Sequence, residues 1–252
     1  MSNLKVMQLS ESQWKGKRVA FLGDSITDAC HVGTEKNYWQ YLSEGLGVEA
    51  LVYGLNGDNW AGIYNQAKRL REEHGDDVDA ISVFCGTNDY MGGVPLGEWY
   101  TIAEEEVNTW GKMAVKRRRH FSQDVATFRG RINRAMAYLK ETFVNQQIFL
   151  VTPIHRAFAT FSDENVQPEE TFPNDLGLYV DSYVEAIKEA GNVWAAPVID
   201  LNATSGLYPL FKSHVRFFHD EKTDMLHPNA EGHYRIAKAM LYQMLAMAPD
   251  FR

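Results

Sequence analysis

The chain has 252 residues, of which 45% are hydrophobic and 23% charged, a mixture that can bury a sizeable core and excludes intrinsic disorder. Its formal charge of -8 at pH 7 argues against broad attraction to nucleic acid or anionic membranes and leaves small neutral or hydrophobic ligands as the better fit. The two cysteines, Cys30 and Cys85, cannot form a disulfide framework, so nothing points to an oxidising compartment.

Met1 to Lys17 lacks the continuous apolar stretch of a signal peptide, and no later segment is apolar enough over a sufficient length to span a bilayer, so a cytoplasmic protein without a membrane span is expected. Five short apolar runs follow in order: Val19 to Leu22, Ala50 to Tyr53, Ala80 to Cys85, Ile148 to Val151 and Ala195 to Ile199. They are predicted strands buried on both faces. Segments of helical period separate most of them, which predicts a single α/β domain over 1–252. The expected architecture is a three-layer α/β/α sandwich, flavodoxin-like, with about five parallel strands.

Between the third and fourth runs, Met91 to Phe121 is the unusual piece: Gly92, Gly93, Pro95 and Gly97 lead into a long segment with Trp99, Tyr100, Trp110 and the run Lys116 to Arg119. It is predicted to be a helical insertion at about 91–121, its arginines forming a solvated helix face and its role a lid or a homo-oligomer contact. Next, Val125, Phe128, Ile132, Ala135, Leu139 and Phe143 place one apolar stripe along a helix that Ser122 is expected to cap. A similar stripe of Tyr179, Tyr183, Val184 and Ile187 ends near Gly191, and Ile236, Ala237, Met240, Leu241 and Met244 form the last.

In an open parallel sheet, ligands bind beyond the carboxyl ends of the strands, so the residues after each run matter most. The first run empties into Gly23-Asp24-Ser25-Ile26-Thr27, a tight turn that either exposes a serine hydroxyl or merely caps a helix. The second continues into Leu55-Asn56-Gly57-Asp58-Asn59, where Gly57 can bring a backbone N–H to a ligand and Asn59 can cap a helix. The third ends in Gly86-Thr87-Asn88-Asp89, with a side-chain amide donor; the fourth leads to His155 and Arg156, pocket residues or plain surface. After the fifth comes Asp224-Met225-Leu226-His227-Pro228-Asn229, with Pro228 suited to the first turn of the last helix. Asp224 can turn back to take one imidazole N–H of His227 while the other ring nitrogen faces a serine, the logic of an activated nucleophile.

Gly-Asp-Ser-Ile at Gly23 to Ile26, the glycine Gly57, Gly-Thr-Asn-Asp at Gly86 to Asp89, and Asp-Met-Leu-His-Pro-Asn at Asp224 to Asn229 resemble the four ordered blocks of the SGNH hydrolases, also called GDSL esterases and lipases. The resemblance implies Ser25 as nucleophile, His227 as base and Asp224 as its partner. It implies an oxyanion hole made by the N–H groups of Ser25 and Gly57 and the side chain of Asn88. Ile26 stands where the family has leucine, and the 91–121 arm is longer than the family core requires. The expected chemistry is hydrolysis of a small-molecule or glycan ester through an acyl-serine, with short-acyl or carbohydrate O-acetyl esters favoured and Asp24 and His155 contacting substrate. Lysophospholipase or thioesterase activity and a non-catalytic carbohydrate binder are the rivals. A nucleotide binder ranks last, for lack of a P-loop or dinucleotide glycine fingerprint. No cofactor or metal is expected, since the remaining histidines (His31, His74, His120, His155, His214, His219, His233) form no His-Glu-x-x-His pattern and the cysteines are not paired in spacing.

Overall fold

The structure is a computed structural model in which residues 12–252 are described. The absence of a signal-like segment was expected for Met1 to Lys17, and residues 1–11 of that stretch lie outside the described part. Among the described residues no helix is long and apolar enough to cross a membrane.

In chain order the first half comprises β1 (Arg18–Gly23), α1 (Tyr38–Leu46), β2 (Glu49–Val52), α2 (Trp60–His74), β3 (Ala80–Phe84), α3 (Thr87–Met91), β4 (Tyr100–Thr109) and β5 (Lys112–Phe121). It continues with α4 (Phe128–Thr142), β6 (Gln147–Val151), β7 (Ala159–Ser162), β8 (Asn165–Gln167), α5 (Val180–Trp194) and β9 (Val198–Ile199). The last elements are α6 (Leu201–Thr204), β10 (Phe218–Asp220), β11 (Asp224–Pro228) and α7 (Ala230–Met244).

The five expected strands form one parallel sheet in the order β2-β1-β3-β6-β9. Strand period sorts the core into two layers, because successive side chains leave opposite faces. Val19, Phe21, Phe149 and Val151 join Trp14, Leu42, Ile236 and Met240 on the side of α1 and α7. Ala20, Leu22, Ile81, Val83, Ile148 and Leu150 join Trp60, Ile63, Ile132, Leu139 and Ile187 on the side of α2, α4 and α5. Burial on both faces holds for β1, β3 and β6, whereas β2 at the sheet edge is only half-buried. Because β1 pairs with β2 on one side and β3 on the other, the chain departs from β1 in both directions, and in open sheets of this kind ligands bind beyond the carboxyl end of such a switch point.

Three local expectations are corrected. The 91–121 insertion is not helical: β4 and β5 pair antiparallel from Tyr100↔Phe121 to Thr109↔Lys112. Trp110 (φ 56°) and Gly111 (φ 77°) supply the two left-handed residues that a tight hairpin turn needs, and the Asn108 side chain accepts the Gly111 N–H at 3.0 Å. Ser122 does not cap α4; the cap is Thr127, whose hydroxyl accepts the Gly130 N–H, so Val125 precedes the helix. Pro228 lies not in the last helix but at the end of β11, and Asn229 caps α7 by accepting the N–H groups of Glu231 and Gly232.

The Asp224 to His227 stretch lies in β11, a strand of a second, four-stranded sheet of order β10-β11-β7-β8. Main-chain bonds between Met225 and both Ala157 and Phe158 fix it against the segment that follows β6. This small sheet carries the last sequence block back to the end of β1.

Candidate active site

After β1 the chain makes one uncontinued turn, with the N–H of Asp28 donating to Asp24 O and that of Thr27 to the same oxygen, and the next helix does not begin until Tyr38. Ser25 therefore sits on a turn and not at a helix cap. Its Oγ lies 2.9 Å from Nε2 of His227, 202 residues away in sequence. On the other side of the ring, Nδ1 lies 2.8 Å from Oδ2 of Asp224. The tautomer that lets Nδ1–H donate to the carboxylate leaves Nε2 free to accept the serine proton.

Asp224 Oδ1 accepts the backbone N–H groups of His227 at 3.0 Å and Leu226 at 3.2 Å, which fixes the carboxylate before it meets the ring. Burial pushes this carboxyl up, but the hydrogen bond and charge of His227 and the two backbone donors outweigh it, and its pKa lies below the usual carboxylate value. Asp224 is thus an anion at neutral pH, as an orienting partner for an imidazolium must be.

Two cross-links tie the loop that carries Gly57 to the serine turn and to α3. The N–H of Asn56 donates to Oδ2 of Asp28 at 2.7 Å, tying the β2–α2 loop to the serine turn. Nδ2 of Asn88 donates to the carbonyl of Asp58 at 2.7 Å, tying the same loop to α3; the amide has a second hydrogen to offer. Gly57, between those anchors, has φ 80° and nothing within 4 Å of where a Cβ would stand, so its backbone is open to a ligand. Asn59 caps α2 as expected, accepting the Ala61 N–H at 3.0 Å.

Asp24 and His155 are placed differently from each other. Asp24 is buried with its carboxyl turned inward, accepting the Ile26 N–H at 3.1 Å; burial, reinforced by the charges of Asp89 and Asp58, raises its pKa to about 7. That environment gives it a structural role and does not support the substrate contact expected from sequence. His155 is half-buried, 2.6 Å from Oε1 of Glu170, with its ring edge-on to Tyr208. Arg156 is fully buried, donating to Thr87 Oγ1 and Gln167 Oε1, so it braces the segment before Asn88 instead of lining an open pocket.

Two residues that sequence reasoning missed touch His227. Gly33 has φ 72°, and a Cβ built on it would lie 2.8 Å from the His227 Cβ. Phe161, on β7, is 45% exposed with its ring centroid 5.6 Å from that of His227. Neither belongs to a motif; both are brought there by tertiary folding. Among the described residues no group of three or more His, Cys, Asp or Glu side chains is placed to hold a metal ion.

The GDSL-like lipase/acylhydrolase family model matches residues 21–235, a span that contains all four blocks. Among solved structures, a Lactobacillus plantarum protein is 24% identical and superposes with a TM-score of 0.72, covering 92% of this chain and 98% of its own. A possible lipase from Chitinophaga pinensis is 20% identical, with a TM-score of 0.66 over 91% of this chain and 98% of its own. The acetyl xylan esterase AlAXEase is 18% identical, with a TM-score of 0.54 over 90% and 98%. These likenesses are of fold. No curated protein matches the sequence. With the family model spanning most of the chain and the four blocks meeting at one sheet edge, the protein belongs to the GDSL-like lipase/acylhydrolase family and is a hydrolase of the SGNH fold.

Proposed function

We propose that this protein hydrolyses carboxylic esters through a covalent acyl-serine. The observation that carries the reading is the hydrogen-bonded line Ser25 Oγ, His227 Nε2, His227 Nδ1, Asp224 Oδ2, with its two links at 2.9 and 2.8 Å. As the Ser25 oxygen bonds to the ester carbon, its proton passes to Nε2. The carbonyl oxygen takes the negative charge among the N–H groups of Ser25 and Gly57 and the Asn88 amide. The bond from that carbon to the alcohol oxygen then breaks, and Nε2 returns its proton to the departing oxygen. Water repeats the sequence on the acyl-serine, His227 taking its proton and giving it to Ser25, and the acid is released.

The direction of proton return identifies which part of the substrate meets which residue. Nε2 must reach the alcohol oxygen, so the alcohol moiety lies beside the His227 ring, where Phe161 presents an exposed aromatic face. An aromatic face suits a sugar or aryl ring, and an acetyl xylan esterase shares this fold. Short-acyl esters, carbohydrate O-acetyl groups among them, are therefore the proposed substrates. The test is a panel of chromogenic esters of increasing acyl length beside acetylated xylan fragments, run with and without a chelator and with Ser25→Ala. Activity greatest on acetyl esters, insensitive to chelation and reduced by about 10⁴-fold or more in the variant is expected; full activity in Ser25→Ala overturns the assignment.

A further inference from the structure

The turn that carries Ser25 is gripped by the first residues of α1. Asn37 Nδ2 donates to the carbonyl of Asp28 at 2.8 Å, Trp39 Nε1 donates to the carbonyl of Thr27 at 3.1 Å, and the Tyr38 hydroxyl lies 3.0 Å from Thr27 Oγ1. Tyr38 has little room to shift, since it is fully buried with Phe21 and Phe84 edge-on to its ring. Three consecutive side chains thus fix Thr27 and Asp28, just beyond the nucleophile.

On the other side, His227 runs through Pro228 and the cap Asn229 straight into α7, whose fourth residue is His233. The His233 imidazole is fully buried, lies within 5° of parallel to the Tyr38 ring, and accepts the Tyr38 N–H on Nδ1 at 3.1 Å. That N–H opens α1 and has no carbonyl of its own helix to bond, so His233 caps α1 from another element. An acceptor at Nδ1 puts the ring proton on Nε2, where no partner meets it among the described residues. Burial, and after it the charges of His227 and His31, lowers the pKa of His233 to about 3, so the ring stays neutral and Nδ1 stays an acceptor. A buried imidazole with an unpartnered N–H is a costly way to fill a core. What it supplies that an apolar side chain does not is the acceptor at Nδ1.

We propose that His233 is a positioning residue that sets the distance between Ser25 and His227. From the serine turn through Thr27 to Tyr38, across to His233 and back along α7 to His227, the contacts form a circuit whose last gap is the 2.9 Å between Ser25 Oγ and His227 Nε2. A second bond between the two helices, Tyr41 Oη to the Ala230 carbonyl at 3.3 Å, lies one turn further along α1 from the residues that grip the serine turn. Breaking the Tyr38–His233 bond therefore loosens the end of α1 that matters. The inference rests on the acyl-serine reading, because proton transfer from Ser25 to Nε2 is the step this gap controls.

The test is the rate at which a fluorophosphonate labels Ser25, with kcat and KM on an acetyl ester, in wild type, His233→Leu and His233→Asn, each shown to be folded by urea unfolding. Leucine fills the space without an acceptor, whereas asparagine leaves a cavity but sets Oδ1 close to where Nδ1 stands. Labelling and kcat are expected to fall by about tenfold or more in His233→Leu with KM nearly unchanged, and to return to within about threefold of wild type in His233→Asn. A role in packing alone ranks the two variants the opposite way, because the cavity penalises asparagine. That ranking overturns the proposal, as do equal rates in wild type and His233→Leu. Should His233→Leu not fold, Tyr38→Phe opens the circuit at Thr27 while keeping the aromatic ring, and wild-type labelling in that variant overturns the proposal. Labelling needs no ester. A wild type that takes the label but hydrolyses no ester sinks the ester reading alone, unchanged labelling in the variants sinks this inference alone, and a wild type that takes no label sinks both.

Discussion

His227 is held from three sides: Asp224 fixes its Nδ1, Ser25 meets its Nε2, and the backbone of Gly33 closes against its Cβ. The last contact has no slack. Gly33→Ala adds a methyl 2.8 Å from the His227 Cβ, on a left-handed backbone that alanine adopts at a cost of about 1–2 kcal/mol. Displacing the imidazole by a few tenths of an ångström from the serine is expected to lower kcat by at least about tenfold, since alignment of reacting groups is steep in distance. A wild-type kcat in a folded Gly33→Ala protein contradicts this role. Asp24 makes a prediction of another kind. The unfolded chain ionises it near 3.8, whereas the folded chain keeps its proton up to about 7. Between those values the native state binds more protons than the unfolded state, so this residue's contribution to stability falls as pH rises. Asp24→Asn removes that dependence. The variant is expected to gain on wild type by on the order of 2–3 kcal/mol between pH 5 and pH 8 in urea unfolding; a difference that stays constant with pH shows that Asp24 is not held protonated.

At the scale of elements, β7 and β8 place Phe161 against the His227 ring. Phe161→Ala is expected to raise KM for esters of ring alcohols by about tenfold while changing kcat little, because a stacked ring contributes roughly 1 kcal/mol beyond its burial. Phe161→Trp should restore affinity; equal losses for ethyl and for sugar esters argue against a ring platform. The parallel strands were legible because Val19 to Leu22, Ala80 to Phe84 and Ile148 to Val151 are apolar on both faces, as only a sheet covered by helices demands. The arm was not. Both its faces meet solvent, so its residues show no apolar alternation, and runs such as Glu104 to Glu106 and Lys116 to Arg119 carry side chains that favour helices. Its turn was written in Trp110-Gly111, a weaker signal than Asn-Gly, although Asn108 and Gly111 in retrospect mark it. The strand β11 escaped because five residues ending in proline carry too little period to separate strand from loop.

For the molecule as a whole, the order of the four blocks was more informative than any one of them. Serine, glycine and asparagine follow β1, β2 and β3 at one edge because the sheet order β2-β1-β3-β6-β9 makes these strands neighbours, and the second sheet, β10-β11-β7-β8, brings His227 to the serine there. What stayed hidden depends on contacts between distant segments: Gly33 with His227 and His219, Phe161 over the ring, and Arg156 bracing Thr87. No local pattern encodes these. The central claim is that Ser25 is an activated nucleophile, which a serine-reactive fluorophosphonate reads directly. The account predicts one equivalent of covalent label, located on Ser25 by peptide mass spectrometry, and labelling that is suppressed by His227→Ala. A native protein that takes up no label, or takes it up equally well without His227, contradicts it.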